Sequence, residues 1–296
     1  MQLWHVKPDT GAIYECAQPA ECPYGRIEDH YRSGYEARQS LTENSSFDPL
    51  QKSSLKTLTP FELEEVLLAE AEEAGIVDLR PIEEAMNFAI SLHRGQVRSA
   101  APWEVPPPYI SHPLRNAIRL LRWGVKDPVV ILVAILHDTV EDGTRNFCEN
   151  IQVPYEGEAK SRVLILAHLK NIFGAEVAIA VEKISNPLIP YKIRSAMSED
   201  EKVDSYKAHV ASSIADDLVV FLCKISDFQD NAAGLYHVAF AHRELQNKKQ
   251  ANKYMKTLPV FHEELRRNPI KEKELRDQIK SILSIMESRL KKILGE

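Results

Sequence analysis

The densest chemical signal in the chain is the run Leu-His-Asp-Thr-Val-Glu-Asp at 136–142. Placed on a helix, His137 and Glu141 stand four apart, as do Asp138 and Asp142, while Asp138 and Glu141 stand three apart. Such spacings predict that all four occupy neighbouring parts of one face. An apolar segment leads directly into the run, so the groups enter the protein together. Crowded carboxylates repel each other, and burial adds the loss of hydration. A divalent ion removes that cost, and imidazole combined with carboxylate oxygen suits manganese, iron or zinc. His112, before Pro113 at a loop-to-helix junction, and Asp227, at the end of the hydrophobic run Phe-Leu-Cys-Lys-Ile-Ser-Asp, can reach the same pocket from other elements. An isolated histidine is usually a structural hydrogen-bonding residue, and a His-Asp pair often arises by chance. It is the company of these residues that points to a metal.

The elements that must position them read as helices. Thr59, Pro60 and Glu62 form a capping-box start for a helix that runs to Glu73, and Gly75 ends it. Pro81 opens the next, with Ile82, Ala85, Met86, Ala89 and Ile90 on one face and a continuation through His93 into the following Gly-Gln-Val-Arg. Residues 99–110 are a proline-rich loop, in which Trp103 is placed to cover the pocket. The helix that Pro113 starts turns Leu114, Ala117, Ile118 and Leu121 inward. Asp127-Pro128 starts another; Val129 to Leu136 are β-branched enough to suggest a strand, but the Pro in the first turn favours a buried helix. A polar loop is expected over 142–157, then helices over 159–171, 174–184 and 199–229, the last broken near Asp216-Asp217. Further helices are expected over 231–250, 252–266 and 272–294, the last with Leu275, Ile279, Ile282 and Ile285 on a recurring face. No run of strands supports an α/β sheet, so the expected class is all-α.

The 296 residues divide by composition into a turn-rich segment at 1–40, a Ser-rich polar linker at 41–59, a helical domain at 60–268 and a terminal helix at 269–296. The net charge of −6 argues against non-specific binding to nucleic acid or a membrane surface, though a basic pocket for a phosphate-bearing small molecule remains compatible with it. No stretch approaches the roughly eighteen apolar residues of a membrane span, and the first residues lack the pattern of a signal peptide, so a cytoplasmic location is expected. Four cysteines offer no disulfide framework.

Taken in order, His-Arg-Gly-Gln-Val-Arg (93–98), Tyr-Ile-Ser-His-Pro-Leu (109–114), Ile-Leu-His-Asp-Thr-Val-Glu-Asp-Gly (135–143), Val-Glu-Lys-Ile-Ser (181–185) and Cys-Lys-Ile-Ser-Asp-Phe-Gln-Asp-Asn (223–231) resemble the HD-type hydrolase domain of the Rel/SpoT alarmone enzymes. The likeness covers about residues 78–266 and is strongest to the stand-alone small alarmone hydrolases. It implies an HD-domain helical bundle that binds one manganese ion and removes the 3′-pyrophosphate of ppGpp and pppGpp, leaving GDP or GTP. By the same resemblance His112, His137, Asp138 and Asp227 are the metal ligands, Glu141 and Asp142 the catalytic acids, and Arg98, Lys224 and Asn231 the substrate-binding residues. The ion would make hydroxide available near neutral pH, Glu141 or Asp142 would handle protons, and Arg98 and Lys224 would offset diphosphate charge. Two departures bear on the base. Phe228 stands where the family usually has arginine, and the loop before His112 is longer and richer in proline. Adenine alarmones such as ppApp and 3′-phosphorylated dinucleotides therefore stay open as substrates, as does a binding module without turnover, although intact Glu141 and Asp142 favour an enzyme. The residues after about 266 leave no room for a synthetase domain, which implies a one-way hydrolase with a terminal helix packed on the body or in a homo-oligomer interface.

His5, Cys16, Cys22 and His30 form a possible tetrahedral zinc set, against the alternative of a small segment whose cysteines are simply buried. The segment resembles a short module appended to actinobacterial and phage proteins, which implies targeting or a protein partner.

Overall fold

A computed structural model describes residues 3–6, 13–16, 54–100, 105–238, 244–268 and 270–296. An antiparallel pair, β1 (Leu3–Val6) and β2 (Ile13–Cys16), sets Leu3 opposite Cys16 and His5 opposite Tyr14. Everything else that is regular among the described residues is helical, so the protein is an all-α bundle with one small hairpin. Cys22, His30 and Trp103 lie outside the described residues, and with them the zinc set and the pocket cover expected of Trp103.

The bundle forms around the most apolar helix. α1 (Pro60–Glu73) starts on the expected capping box, with the Thr59 hydroxyl accepting from the Glu62 backbone and Glu62 bonded back to the Thr59 backbone. α2 (Arg80–Leu92) and α3 (Ser111–Arg122) bury the faces that the 3.6-residue period assigns, including Ile82, Ala85, Met86 and Ala89 on one and Leu114, Ala117, Ile118 and Leu121 on the other. α4 (Pro128–Leu136) settles the strand-or-helix ambiguity in favour of helix, its first turn capped by Asp127, whose carboxylate accepts from the Val129 N–H. Val130 through Leu136 are all buried. A helix apolar on every side must be surrounded, and α4 packs against α2, α3, α8 (Ala175–Ile184) and α11 (Leu218–Val238).

Several boundaries differ from expectation. α2 stops at Leu92 rather than entering Gly-Gln-Val-Arg, because Gly95 takes a φ of +78° and turns the chain. The predicted loop at 142–157 contains a helix, α6 (Thr144–Asn150), which follows the short α5 (Thr139–Asp142). It buries Phe147 and Cys148, and Asn146 donates to the Leu92 carbonyl at the end of α2. α7 (Glu158–Phe173) and α8 are the helices expected over 159–171 and 174–184; they pack against each other, and a short α9 (Tyr191–Ala196) follows. The expected break falls between α10 (Glu199–Ile214) and α11, where Asp216 adopts φ +56° and Asp217 accepts from the Val220 N–H. α11 continues to Val238 instead of ending at 229, and one helix, α12 (Glu244–Arg267), replaces the two expected on either side of residue 251. The reason is the stripe Ala251, Tyr254, Leu258, Phe261 and Leu265, spaced three and four apart and buried without interruption. α13 (Lys273–Leu294) packs on α11 and α12 through Ile279, Ile282, Leu283, Met286 and Leu290, which leaves Ile285 half exposed rather than on the buried face. Among the described residues no helix is long and apolar enough to cross a membrane.

Candidate metal centre

Three helices bring the chemistry together. His112 enters from the first turn of α3, His137 from the C-terminal end of α4, and Asp227 from the middle of α11. All three are buried, and one ligand atom from each lies within 4.8 Å of the others. Each ring is tied at Nδ1. His137 Nδ1 is 2.8 Å from the Ala134 carbonyl oxygen, which can only accept, so that nitrogen carries the proton. His112 Nδ1 is 2.8 Å from Asp230 Oδ2. The two Nε2 atoms therefore converge on the carboxylates: His112 Nε2 lies 3.1 Å from Asp227 Oδ1, and His137 Nε2 lies 3.1 Å from Asp138 Oδ2 and 3.7 Å from Asp227 Oδ1.

Whether this donor set suits a divalent ion can be judged from His137 itself. Its Nε2 is buried and makes no hydrogen bond, although carboxylate oxygens surround it. Lone pairs on imidazole nitrogen and carboxylate oxygen repel at this range unless positive charge lies among them. Burial alone would push the His137 pKa down, but Asp138 and Asp227 outweigh it and hold it well above the ordinary value. Burial pushes the Asp227 carboxyl up, and the two imidazoles more than reverse that, holding it well below the carboxylate range. Two imidazoles with carboxylate oxygen make a cluster able to hold a divalent metal.

Asp138 lies outside the tightest group but beside it, 3.6 Å from His112 Nε2, and the Tyr109 hydroxyl donates to its Oδ2 at 2.7 Å. Tyr109 is itself fixed by the pinched base of the proline-rich loop: its N–H donates to the Gln96 carbonyl and the Arg98 N–H donates to Pro107. The single-helix reading of 136–142 needs correction. His137 and Asp138 form a turn between α4 and α5 instead of continuing one helix. Glu141 accepts twice from Asn186 in the loop after α8, from N at 2.7 Å and from Nδ2 at 2.8 Å, and its charge is also felt at Lys253 and Tyr206. Asp142 stays near the cluster, and burial, followed by Asp138 and Glu141, pushes its carboxyl up to about 6.

The residues expected at the substrate side divide. Arg98, half-buried, donates to Asn231 Oδ1 at 2.7 Å, and Asn231 Nδ2 donates to Asp227 Oδ1 at 2.6 Å. Lys224 is buried and donates to the Ile184 carbonyl at 3.1 Å, yet its charge is felt at Asp227. Two cations not singled out from sequence join them. Lys253, its ammonium 3.9 Å from the Tyr206 ring centroid, is pushed down to about 8 by burial and by Lys224 and Arg194, with Asp227 opposing. Lys56, in the turn before α1, is pushed down to about 8 by burial and by Arg115, Arg119 and Arg98, with Asp230 opposing.

Sequence reasoning also missed Asp230, Arg115 and Arg119. Arg115 Nε and Nη2 donate to Asp230 at 2.9 and 2.7 Å, and Arg119 Nη2 donates to it at 2.9 Å. The signal was available in the spacing: His112, Arg115 and Arg119 recur three and four apart on a helix that also buries Leu114, Ala117, Ile118 and Leu121.

No family model matches the chain. A guanosine-3′,5′-bis(diphosphate) 3′-pyrophosphohydrolase of Aquifex aeolicus (strain VF5) is 30% identical over 182 residues, 61% of this chain and 21% of that protein. A GTP pyrophosphokinase of Myxococcus xanthus is 27% identical over 184 residues, 62% of this chain and 20% of that protein. A guanosine-3′,5′-bis(diphosphate) 3′-pyrophosphohydrolase of Xenopus tropicalis is 40% identical over 88 residues, 29% of this chain and 46% of that protein. The chain thus spans about a fifth of the length of the first two relatives and less than half of the third. Over about three fifths of its length the chain is thus similar to proteins named for making or hydrolysing guanosine pyrophosphates, and it carries the cluster of His112, His137 and Asp227.

Proposed function

We propose that the protein is a metal-dependent phosphohydrolase that removes the 3′-pyrophosphate of ppGpp and pppGpp, with manganese held by His112, His137, Asp138 and Asp227. The observation that carries the reading is the convergence of two Nδ1-tethered imidazoles on Asp227, one bond away from Asn231 and two from Arg98. A divalent ion, when bound, supplies Lewis acidity that makes a water a competent nucleophile near neutral pH. The side chains do the rest. Asp142, whose carboxyl burial pushes up to about 6, takes the proton of the attacking water. Arg98, Lys56 and Lys253 offset the charge of the diphosphate, and Lys224 supports Asp227 from behind. Glu141 is a tether for the 185–190 loop rather than the base. The surplus of cations beside a carboxylate-rich centre fits a polyanionic substrate better than a neutral one.

Product analysis tests this reading. The purified chain, supplied with manganese, is offered ppGpp, pppGpp, ppApp and a 3′-phosphorylated dinucleotide, with chelated controls. Release of GDP and pyrophosphate from ppGpp is expected. Turnover of ppApp or the dinucleotide alone would keep the metal chemistry and reassign the substrate.

A further inference from the structure

His137 gets its orientation from its own helix, since its ring donates to the carbonyl three residues back, Ala134. His112 does not use its own helix in this way. The equivalent carbonyl, Tyr109 O, already receives the His112 backbone N–H at 2.9 Å, and the next, Ile110 O, receives the Leu114 N–H. The ring instead meets Asp230 from α11, a residue only 2% exposed. Oδ1 of Asp230 accepts from Arg115 Nε and Arg119 Nη2, while Oδ2 accepts from Arg115 Nη2 and faces His112 Nδ1. Four contacts fill the roughly four lone-pair positions of a carboxylate. Arg119 is further fixed by Asn116 Oδ1 and by the Ser226 carbonyl and hydroxyl.

Two guanidinium groups and a carboxylate buried together are an expensive way to hold α3 on α11. Apolar residues of similar size commonly hold such contacts as well or better. The arrangement gains a use if it serves His112. An ionised carboxylate can only accept, so His112 Nδ1 must donate, and its Nε2 lone pair must face Asp227. We propose that Asp230 is a positioning residue of the metal centre: it fixes the tautomer and orientation of His112. Arg115 and Arg119 hold it in place and keep it from swinging in as a ligand. The inference rests on the reading of His112 as a metal ligand.

The test uses the full chain, stripped by chelator and titrated with manganese chloride alone, without nucleotide, by calorimetry. Asp230→Asn keeps an acceptor but loses the charge and the saturated geometry, and is expected to weaken manganese binding about 10- to 100-fold. Ring ¹⁵N shifts should report the Nδ1–H tautomer of His112 in the wild type and a tautomer mixture in the variant. Asp230→Asn strands two arginines and can unfold. A triple variant, Arg115→Met with Arg119→Met and Asp230→Leu, removes the charges as a set and must show the same loss of affinity. Ile118→Val, a core change on the same helix, should lower the melting temperature and leave the manganese Kd unchanged. If the folded Asp230→Asn or triple variant binds manganese as tightly as wild type, with His112 in the same tautomer, the positioning role is wrong. If the wild type itself binds no manganese, the reading of the centre fails and this inference fails with it.

Discussion

Asn231 Nδ2 lies 2.6 Å from Asp227 Oδ1, and the same amide accepts from Arg98 through its oxygen at 2.7 Å. One side chain therefore links a candidate metal ligand to the cation expected at the phosphates, across a loop and a helix that are 133 residues apart in sequence at the Arg98 end. Asn231→Ala should release both partners at once. We expect manganese affinity to fall about 10-fold or more, as for other residues that orient a metal ligand, with kcat/KM falling further because Arg98 loses its anchor. Calorimetry and steady-state rates on the same preparation check this. Unchanged affinity together with unchanged kcat/KM would remove Asn231 from the site.

Asp142 sets a pH dependence. A carboxyl pushed up to about 6 is protonated, and useless as a proton acceptor, below that pH and ionised above it. A cation held by the neighbouring His112, His137 and Asp227 would lower the value. The rate should therefore rise with pH along an acid limb centred at or below about 6 and level off above it. Asp142→Asn should lower kcat by about 10²- to 10⁴-fold and abolish that limb. A limb that persists in the variant belongs to another group.

Glu141 and Asp142 adjoin in sequence and should behave differently. Both Glu141 oxygens accept from Asn186, so Glu141→Gln places an amide donor against a donor. The expected cost is about 1–3 kcal/mol of stability by urea denaturation, with a much smaller loss of kcat than in Asp142→Asn. Equal losses of rate in the two variants would return Glu141 to the chemistry.

Gly143 is a packing prediction. A Cβ there would meet the Thr139 carbonyl oxygen at 2.5 Å and Leu92 Cβ at 2.9 Å. Backbone cannot yield cheaply, so Gly143→Ala should push the Thr139–Asp142 turn away from α2. A stability loss of about 1–3 kcal/mol is expected from the overpacking, accompanied by a fall in kcat because Asp142 moves with the turn. Wild-type melting temperature and rate in this variant would contradict the placement of the turn.

The sequence carried the helical bundle because its local signals agreed. The Thr59–Glu62 box, the Asp127 cap and the periodic apolar faces of α2 and α3 all depend on neighbours within a few residues. The gathering of His112, His137 and Asp227 was legible from residue type and from the family resemblance. Other features were not, for physical reasons. The turn at His137-Asp138 keeps near-helical dihedrals, so nothing in Leu-His-Asp-Thr-Val-Glu-Asp marks where the helix is interrupted. Glu141 is claimed by Asn186, which lies 45 residues further on. Asp230 looked like one more acidic residue, because its meaning depends on two arginines and a histidine more than a hundred residues earlier. The long α12 was misread as two helices because its polar residues outnumber the single stripe it buries.

The most direct test of the central claim is a manganese titration of the chelated protein, following conversion of ppGpp to GDP and pyrophosphate. The account predicts no turnover without metal and full activity restored at about one equivalent, with His137→Ala and Asp227→Ala folded yet inactive at that concentration. Turnover that survives chelation, or manganese that restores both variants as it does the wild type, would contradict it.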